Sequence, residues 1–419
     1  MPKYAIVGFG CAGFNAMRAI RQIDPDAQID VYERTDRPPF NPMLSTYFAS
    51  GRIGNDGIFP FGSMTEINQR YAFHLMSECV VSRVDTKNKK VITTDGQEET
   101  YDKILIATGA SAFIPGFLKV ETRKVFLMRT LDDALALRNY LDEHKIERAA
   151  VVGGSMVGIK VAELLHREHV KTDIIDAAGY LFPLAAHEHI AHKIEKRLID
   201  MGIGIQMNKF VERIADDGVH FKDGTMTAAD IVCLCVGTRA NLQLVANLEL
   251  VEGEGLNINK GIVIDHHGCT NIEGIYAAGD CCEGTNLQTG QTVIIGLWAN
   301  AAAQGSCAGK NMAGLKEEYY GNILHNITHF FDMDFVGLGN PMAEGEMYQF
   351  QYDDFEVSVV KKDGRIVSMN IYGNYRISGI LKTFLIKQIA GENRKLTPIQ
   401  KGLLKNSGFS TELIELIGG

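Results

Sequence analysis

The stretch "KYAIVGFGCAGFNAMRAIRQIDPDAQIDVYE", Lys3 to Glu33, decides the fold. It opens on a short apolar run of the kind that forms a buried strand. Gly8, Gly10 and Gly13 then make the pattern G-x-G-x-x-G. The first glycine permits a tight turn, the second lets backbone approach a pyrophosphate, and the third lets a helix pack on the strand. The helix that starts there offers free N–H groups and the positive end of its dipole to phosphates. Twenty residues after Gly13, the run "QIDVYE" ends in Glu33, placed to accept hydrogen bonds from a ribose. The glycines alone would be a weak signal. Strand, glycines, helix, strand and terminal acid together specify a dinucleotide-binding βαβ unit.

A second unit begins about 145 residues on, at "RAAVVGGSMVGIKVAELL", with Gly153 and Gly158 in place and Ser155 standing for the middle glycine. Its next strand, "KTDIID", ends in Asp176. A carboxylate there accepts from a ribose 2′-hydroxyl, and "AAGY" after it has no arginine to hold a 2′-phosphate, so NADH is favoured over NADPH. Three further strand-like runs close on small or acidic residues: "YDKILIATGA" on Thr108-Gly109, "ADIVCLCVGTRAN" on Val236-Gly237, and "TNIEGIYAAGDCCE" on Gly279-Asp280. An Asp at a strand end before a helix suits the polyol of a flavin, and the helix N-terminus stabilises negative charge on a reduced ring.

The bulk composition agrees with an enzyme of several domains. A chain of 419 residues suggests about three domains, and 46% hydrophobic residues, 22% charged residues and 43 glycines describe a globular protein. A net charge of −9 argues against nucleic acid or an anionic membrane as partner. No apolar run is long enough to span a bilayer, and the glycine-broken start with Arg18 and Arg21 close behind is wrong for a signal peptide, so a cytoplasmic location is expected. The eight cysteines fall into no C-x-x-C pair and no zinc spacing and read as buried thiols.

These segments, in this order over nearly the whole chain, resemble the pyridine nucleotide-disulfide oxidoreductase superfamily. That resemblance implies an α/β fold with two Rossmann-like domains, an FAD domain (1–112 and 235–320) interrupted by an NAD domain (113–234), and a C-terminal α+β interface domain (321–419). "LMRTLDDALAL", "GLWANAAAQGSCAGKNMAG" and "HFFDMDFVGLG" point to the branch with rubredoxin reductase, ferredoxin reductases and the nitrite reductase flavin domain. Less specifically, the chain is similar to the FAD subunit of complexes such as phenylglyoxylate dehydrogenase. The resemblance implies FAD contacts at Gly8, Gly10, Ala12, Gly13, Glu33, Val81, Arg129, Asp280 and Trp298, with NADH on the second unit.

Disulfide-reducing relatives carry cysteines in the loop after the first unit. Here the loop is "RPPFNPMLSTYFASG", Arg37 to Gly51, with Pro42, Met43 and Leu44 in that neighbourhood. A dithiol relay is not expected. In the cysteine-free branch a loop lysine pairs with a glutamate two residues after the last glycine of the NAD fingerprint. Here the loop offers Asn41 and Thr46, and the glutamate position is Lys160. Lys160 beside the flavin would stabilise its reduced anion; the alternative is a helix lysine facing water. "AHEHIAH" supplies His187, His189 and His192, read as a solvated face rather than a metal site, and His266-His267 read as structural. After Gly314, two strands joined at Asp363-Gly364 and a helical tail form an α+β module, and Asp95 and Asp223 open similar turns. The resulting expectation is an NADH:acceptor flavoprotein that exchanges electrons with a separate iron–sulfur protein or subunit and works as a homodimer or within a larger complex. The alternatives are an NADH oxidase or direct reductase of a small substrate, and a redox-responsive interaction protein of the apoptosis-inducing-factor kind.

Overall fold

The computed structural model describes residues 1–246, 255–389, 392 and 395–418. In the first unit, β1 (Lys3–Val7), β2 (Gln28–Tyr32), β3 (His74–Met76) and β4 (Lys103–Ile106) pair in parallel, with β1 between β2 and β4. All four run in one direction because crossovers carry the chain back to the same end of the sheet before each new strand. Helix α1 (Cys11–Ile23) follows β1, and the short helix α2 (Ser45–Ala49) lies in the cysteine-free loop.

The chain then leaves this sheet to build a second parallel one. Strands β5 (Val125–Phe126), β6 (Arg148–Val152), β7 (Lys171–Ile175), β8 (Gly204–Gln206) and β9 (Ile231–Leu234) run β5-β9-β6-β7-β8, again all parallel. Helices α3 (Met156–Arg167) and α4 (Glu188–Asp200) belong to it. Only after this does β10 (Ile275–Ala277) rejoin the first sheet beside β4. In both sheets the strand carrying the glycine turn sits where the strand order reverses. Parallel sheets open a ligand crevice at that point.

Helix α5 (Trp298–Met312) lies against α1, and small residues set how close they come. A methyl group on Gly305 would fall 2.2 Å from the Ala12 carbonyl oxygen, and one on Gly309 2.4 Å from that of Ala16. Ala301, Gly305 and Gly309 recur every four residues, so one bare stripe of α5 faces α1. This contact joins a helix from residue 11 to one from residue 298.

The C-terminal sheet is antiparallel. Strands β11 (His325–Phe330), β12 (Met333–Gly339), β13 (Glu346–Gln351), β14 (Glu356–Lys362) and β15 (Arg365–Tyr372) run β11-β12-β15-β14-β13. The β14–β15 turn is Asp363-Gly364, both with φ near the left-handed region at +51° and +74°, as a two-residue hairpin of primed type requires. Asp95-Gly96 and Asp223-Gly224 likewise sit between antiparallel strands. One face of the sheet buries Val336, Val359 and Ile371 under helices 378–389, 398–406 and 411–418. The other brings Phe330 and Phe335 onto Phe182 of the second unit.

That second contact overturns the reading of His187 as part of a solvated face. The His187 side chain is 2% exposed, with its ring between the hydroxyls of Ser358 and Ser368. His189 is half-buried near Glu356, and His192, paired with Glu195 and Glu188, faces water. Only His189 and His192 share a helix face; His187 precedes the helix as its N-cap, and a sheet distant in sequence covers it. Burial, with the neighbouring His189, pulls the His187 pKa from 6.5 down to about 4. His189 is also pulled down by burial, against the opposing pull of Glu356, which is itself paired with Lys193. The unfolded chain takes up a proton near pH 6.5 that the folded chain refuses until about pH 4. Stability from this group is therefore complete above that window and falls as pH drops through it, by up to about 1.4 kcal/mol per pH unit. Urea unfolding of His187→Asn should show a flatter loss between those limits than the parent chain.

Candidate active site

The turn after β1 shapes a cavity for a phosphate-bearing ligand. Gly8 has φ +99°, and a methyl group there would sit 2.5 Å from the Ala107 carbonyl oxygen. Gly13 is the close-packing glycine, its position 2.1 Å from the Gly8 carbonyl oxygen when a methyl is added. At Gly10 an added methyl meets nothing within 4 Å, and α1 begins there with no side-chain cap and no acidic residue in its first turn. Its N–H groups stay available to a pyrophosphate. The Glu33 carboxylate accepts from Phe9 N at 2.9 Å and from Thr35 N at 3.2 Å, which holds it at the end of β2 beside the glycine turn.

The cavity wall contains Gly8, Gly10, Ala12, Glu33, Thr108, Gly109, Arg129, Gly279, Asp280 and Trp298. Arg129 Nη2 donates to Asp280 Oδ2 at 2.7 Å and its Nε to the Ala110 carbonyl at 3.0 Å, so two residues 151 apart in sequence share one wall. Asn241 ties Thr108 in place through both its backbone and its amide. Trp298 stacks on Phe61, which stacks on Phe14. An uncapped helix N-terminus, a carboxylate held beside the glycine turn and an acidic strand end around one cavity fit FAD.

Four expected residues lie elsewhere. Gly13 packs behind the turn, and Val81 sits on a separate hairpin outside the wall. Asn41 points its amide oxygen at Met43 N, 3.0 Å away, and caps the turn at Pro42. Lys160 lines a different, small cavity with Tyr47, Arg52, Glu163 and Arg167. Its Nζ donates to Tyr47 Oη at 2.6 Å and lies 3.7 Å from Glu163. Lys160 is therefore neither on the wall of the first cavity nor turned to water. Burial pushes the Glu163 carboxyl up, and Arg52, Lys160 and Arg167 outweigh it, leaving the pKa below the ordinary carboxylate range. Lys160→Glu would set a second carboxylate beside this 3% exposed one and should destabilise the chain by about 3 kcal/mol, read as a lowered urea midpoint. Lys160→Gln should cost far less.

The second glycine turn repeats the first. Gly154 N donates to Asp176 Oδ2 at 2.5 Å and Ala178 N to Oδ1 at 2.8 Å, the counterparts of the contacts at Glu33. Ser155 differs from a glycine in use as well as size. Its hydroxyl accepts from Gly158 N at 3.2 Å and donates to the Cys235 carbonyl at 3.0 Å, so this helix caps one of its own donors. Gly153, Ser155, Asp176 and Gly237 line a cavity of about 680 Å³, whereas Gly158 packs behind it against the Gly153 carbonyl. Phe117, Phe182, Leu184 and Phe210 make much of its wall apolar, and Leu324, His325 and Asn326 reach it from the C-terminal sheet. Sequence reasoning missed this last group, because no motif marks residues that reach a site only by packing. It also missed Arg34, Thr35 and Arg37 on the first cavity; the position of Arg34 and Thr35 directly after Glu33 was the available signal.

Cysteine chemistry is absent from both walls except at two buried thiols. All eight cysteines are free. Cys11 touches the first cavity, where burial and then Asp280 push its thiol up to about 12. Cys235, in the second, is likewise pushed up to about 12 by burial. Both stay protonated at neutral pH, which disfavours thiolate chemistry.

The pyridine nucleotide-disulphide oxidoreductase family model matches residues 2–305, and the chain belongs to that family. Among curated proteins it is similar to an NADH oxidase of Methanocaldococcus jannaschii, 26% identical over 399 residues that cover 89% of this chain and 88% of that one. It is also similar to the NADH-dependent phenylglyoxylate dehydrogenase subunit epsilon of Aromatoleum evansii, 26% identical over 415 residues covering 96% and 95%. Among solved structures, the water-forming NADH oxidase from Lactobacillus brevis bound to NADH shares the fold, with a TM-score of 0.84, 23% identity, and coverage of 92% and 91%. The chain is an NAD(P)H-dependent flavin oxidoreductase, and FAD and NADH are its expected cofactors.

Proposed function

We propose that this oxidoreductase moves electrons between NADH and a separate iron–sulfur protein or subunit, using FAD and no redox-active disulfide. The observation that carries the reading is the loop beside the first cavity, where Pro42 and Met43 line the wall. Among the described residues, Cys11 is the one cysteine on that wall, and a single protonated thiol cannot cycle as a dithiol. The similarity to a subunit of an NADH-dependent dehydrogenase complex supports a partner on a separate chain.

In this reading residues 1–112 with 235–320 hold FAD, 113–234 hold NADH, and 321–419 form the interface. The α1 N-terminus and Gly10 take the pyrophosphate, Glu33 the ribose, and Asp280, fixed by Arg129, the polyol. Asp176 accepts from the ribose of NADH, with Gly153 and Ser155 beside its phosphates. Bound FAD supplies the ability to accept a hydride and release electrons singly. The protein supplies position and a dry surround, chiefly through Trp298, Pro42 and Met43.

The test is anaerobic electron transfer from NADH to a ferredoxin or rubredoxin by FAD-loaded protein, before and after alkylation of accessible thiols, with oxygen uptake measured separately. Alkylated protein should reduce the iron–sulfur acceptor at the untreated rate and consume oxygen slowly. Loss of transfer on alkylation would sink the disulfide-free mechanism. Oxygen uptake as fast as acceptor reduction would favour the oxidase reading instead.

A further inference from the structure

We propose that the C-terminal sheet positions one wall of the NADH cavity, and that Asn370 and His187 are the residues that do so. This rests on the assignment of the second cavity to NADH. The wall in question is the segment from Phe182 to Ala185, all four of whose residues line that cavity. It is an irregular turn rather than a helix or strand, with Phe182 at φ +57°, a conformation a bulky residue adopts only when its surroundings impose it.

The surroundings that impose it come from two directions. On the nucleotide side, Phe182 N donates to the Gly154 carbonyl at 3.1 Å, and Gly154 N donates to Asp176 Oδ2. Movement of the segment would therefore move the glycine turn and the ribose-directed carboxylate with it. On the far side, Asn370 of β15, 0% exposed, grips the backbone at the end of the segment and just beyond it with the two ends of its amide. Its Oδ1 accepts from His187 N at 2.6 Å and its Nδ2 donates to the Ala185 carbonyl at 3.1 Å. The His187 ring is held between Ser358 of β14 and Ser368 of β15, 2.8 Å from the latter. Opposite Ala185, β12 carries Gly337, where a methyl group would come within 2.5 Å of the Ala185 carbonyl oxygen.

Adhesion alone does not require this arrangement. Phe182, Phe330 and Phe335 already form an apolar contact between the two parts, and buried polar groups gain little net stability over apolar ones. What directional hydrogen bonds to backbone add is a single position for the segment they grip. The residues gripped are those next to the cavity wall, so the consequence falls on NADH and not on FAD. Asn370 and His187 are positioning residues and touch no ligand themselves.

Asn370→Leu removes both amide bonds at similar volume. Affinity would be measured by titrating FAD-loaded protein with tetrahydro-NADH, an NADH analogue that cannot give up a hydride, followed by flavin fluorescence, with flavin content and the urea midpoint read on the same sample and the KM and kcat for dye reduction by NADH alongside. The expected result is NADH binding weakened about tenfold, or about 1.4 kcal/mol, a KM raised in step, kcat at saturating NADH nearly kept, and flavin content unchanged. His187→Gln, which can still bond one serine, should fall between parent and His187→Ala. If Asn370→Leu does not fold, Ser368→Ala removes one bond to the same ring and should weaken NADH severalfold. Unchanged NADH affinity in a folded variant, or parallel loss of FAD, would overturn the proposal. Asp176→Ala separates the two failures: if it too leaves NADH affinity unchanged, the cavity assignment is at fault and not the positioning role.

Discussion

Gly13→Val should yield a chain that no longer retains FAD, while Gly158→Val should keep FAD and lose NADH. Each glycine lies where its helix presses on the preceding turn, and an added carbon would sit 2.1 Å and 1.9 Å from the carbonyl oxygens of Gly8 and Gly153. Neither position can give way without displacing a helix from its sheet. Overpacking of this severity exceeds the ordinary cost of about 1–3 kcal/mol. It also moves the helix N-terminus that faces the phosphates, so cofactor affinity should fall by at least ~100-fold. Flavin absorbance after gel filtration reads the first loss, and NADH titration of the flavin-loaded variant reads the second. The pair also tests which cavity takes which cofactor, since exchanged outcomes would reverse the assignment.

Replacing Asp176 with Ala and Ala177 with Arg should turn the preference from NADH to NADPH. Asp176 ends β7, and its carboxylate is held toward the glycine turn by Gly154 N and Ala178 N. A 2′-phosphate brought there meets a fixed negative charge, and an arginine beside it would form a charge-assisted pair instead. Losing the hydrogen bonds that the half-buried Asp176 carboxylate would accept from the ribose costs about 2–3 kcal/mol and the new pair contributes a similar amount. The ratio of kcat/KM values for the two coenzymes should therefore shift by ~1,000-fold or more. A double variant that still prefers NADH would show that another wall sets the choice. Lys209 and Lys222 also reach that cavity, but Lys209 is engaged by Asp223 and Lys222 sits over the ring of Phe117.

The two nucleotide units were legible because each is local. Strand, glycine turn, helix and terminal acid follow within about 30 residues, and each residue's role comes from covalent geometry and the direction of N–H groups near it. Gly10, Glu33, Gly153 and Asp176 could be placed by spacing alone. Lys160 could not. Its position on α3 followed from sequence, but whether it met flavin, water or another side chain depended on Tyr47 and Glu163, and the phenol comes from a loop 113 residues away. His187 misled for the same reason. It belongs to one short run with His189 and His192, yet β14 and β15 cover it, and burial rather than its neighbours in sequence sets its charge.

The sequence by itself determined two parallel sheets with glycine turns, an acid directly after the second strand of each unit, and a loop without the cysteines of a dithiol relay. These are properties of short segments, where the allowed backbone and the hydrogen-bonding groups are set by residues a few positions apart. Only the tertiary structure decided that Arg129 braces Asp280, that Lys160 meets the Tyr47 hydroxyl, and that the C-terminal sheet grips the backbone beside the second cavity. Those depend on surfaces brought together from 100 residues apart or more, and a buried polar side chain takes its partner from whichever surface arrives.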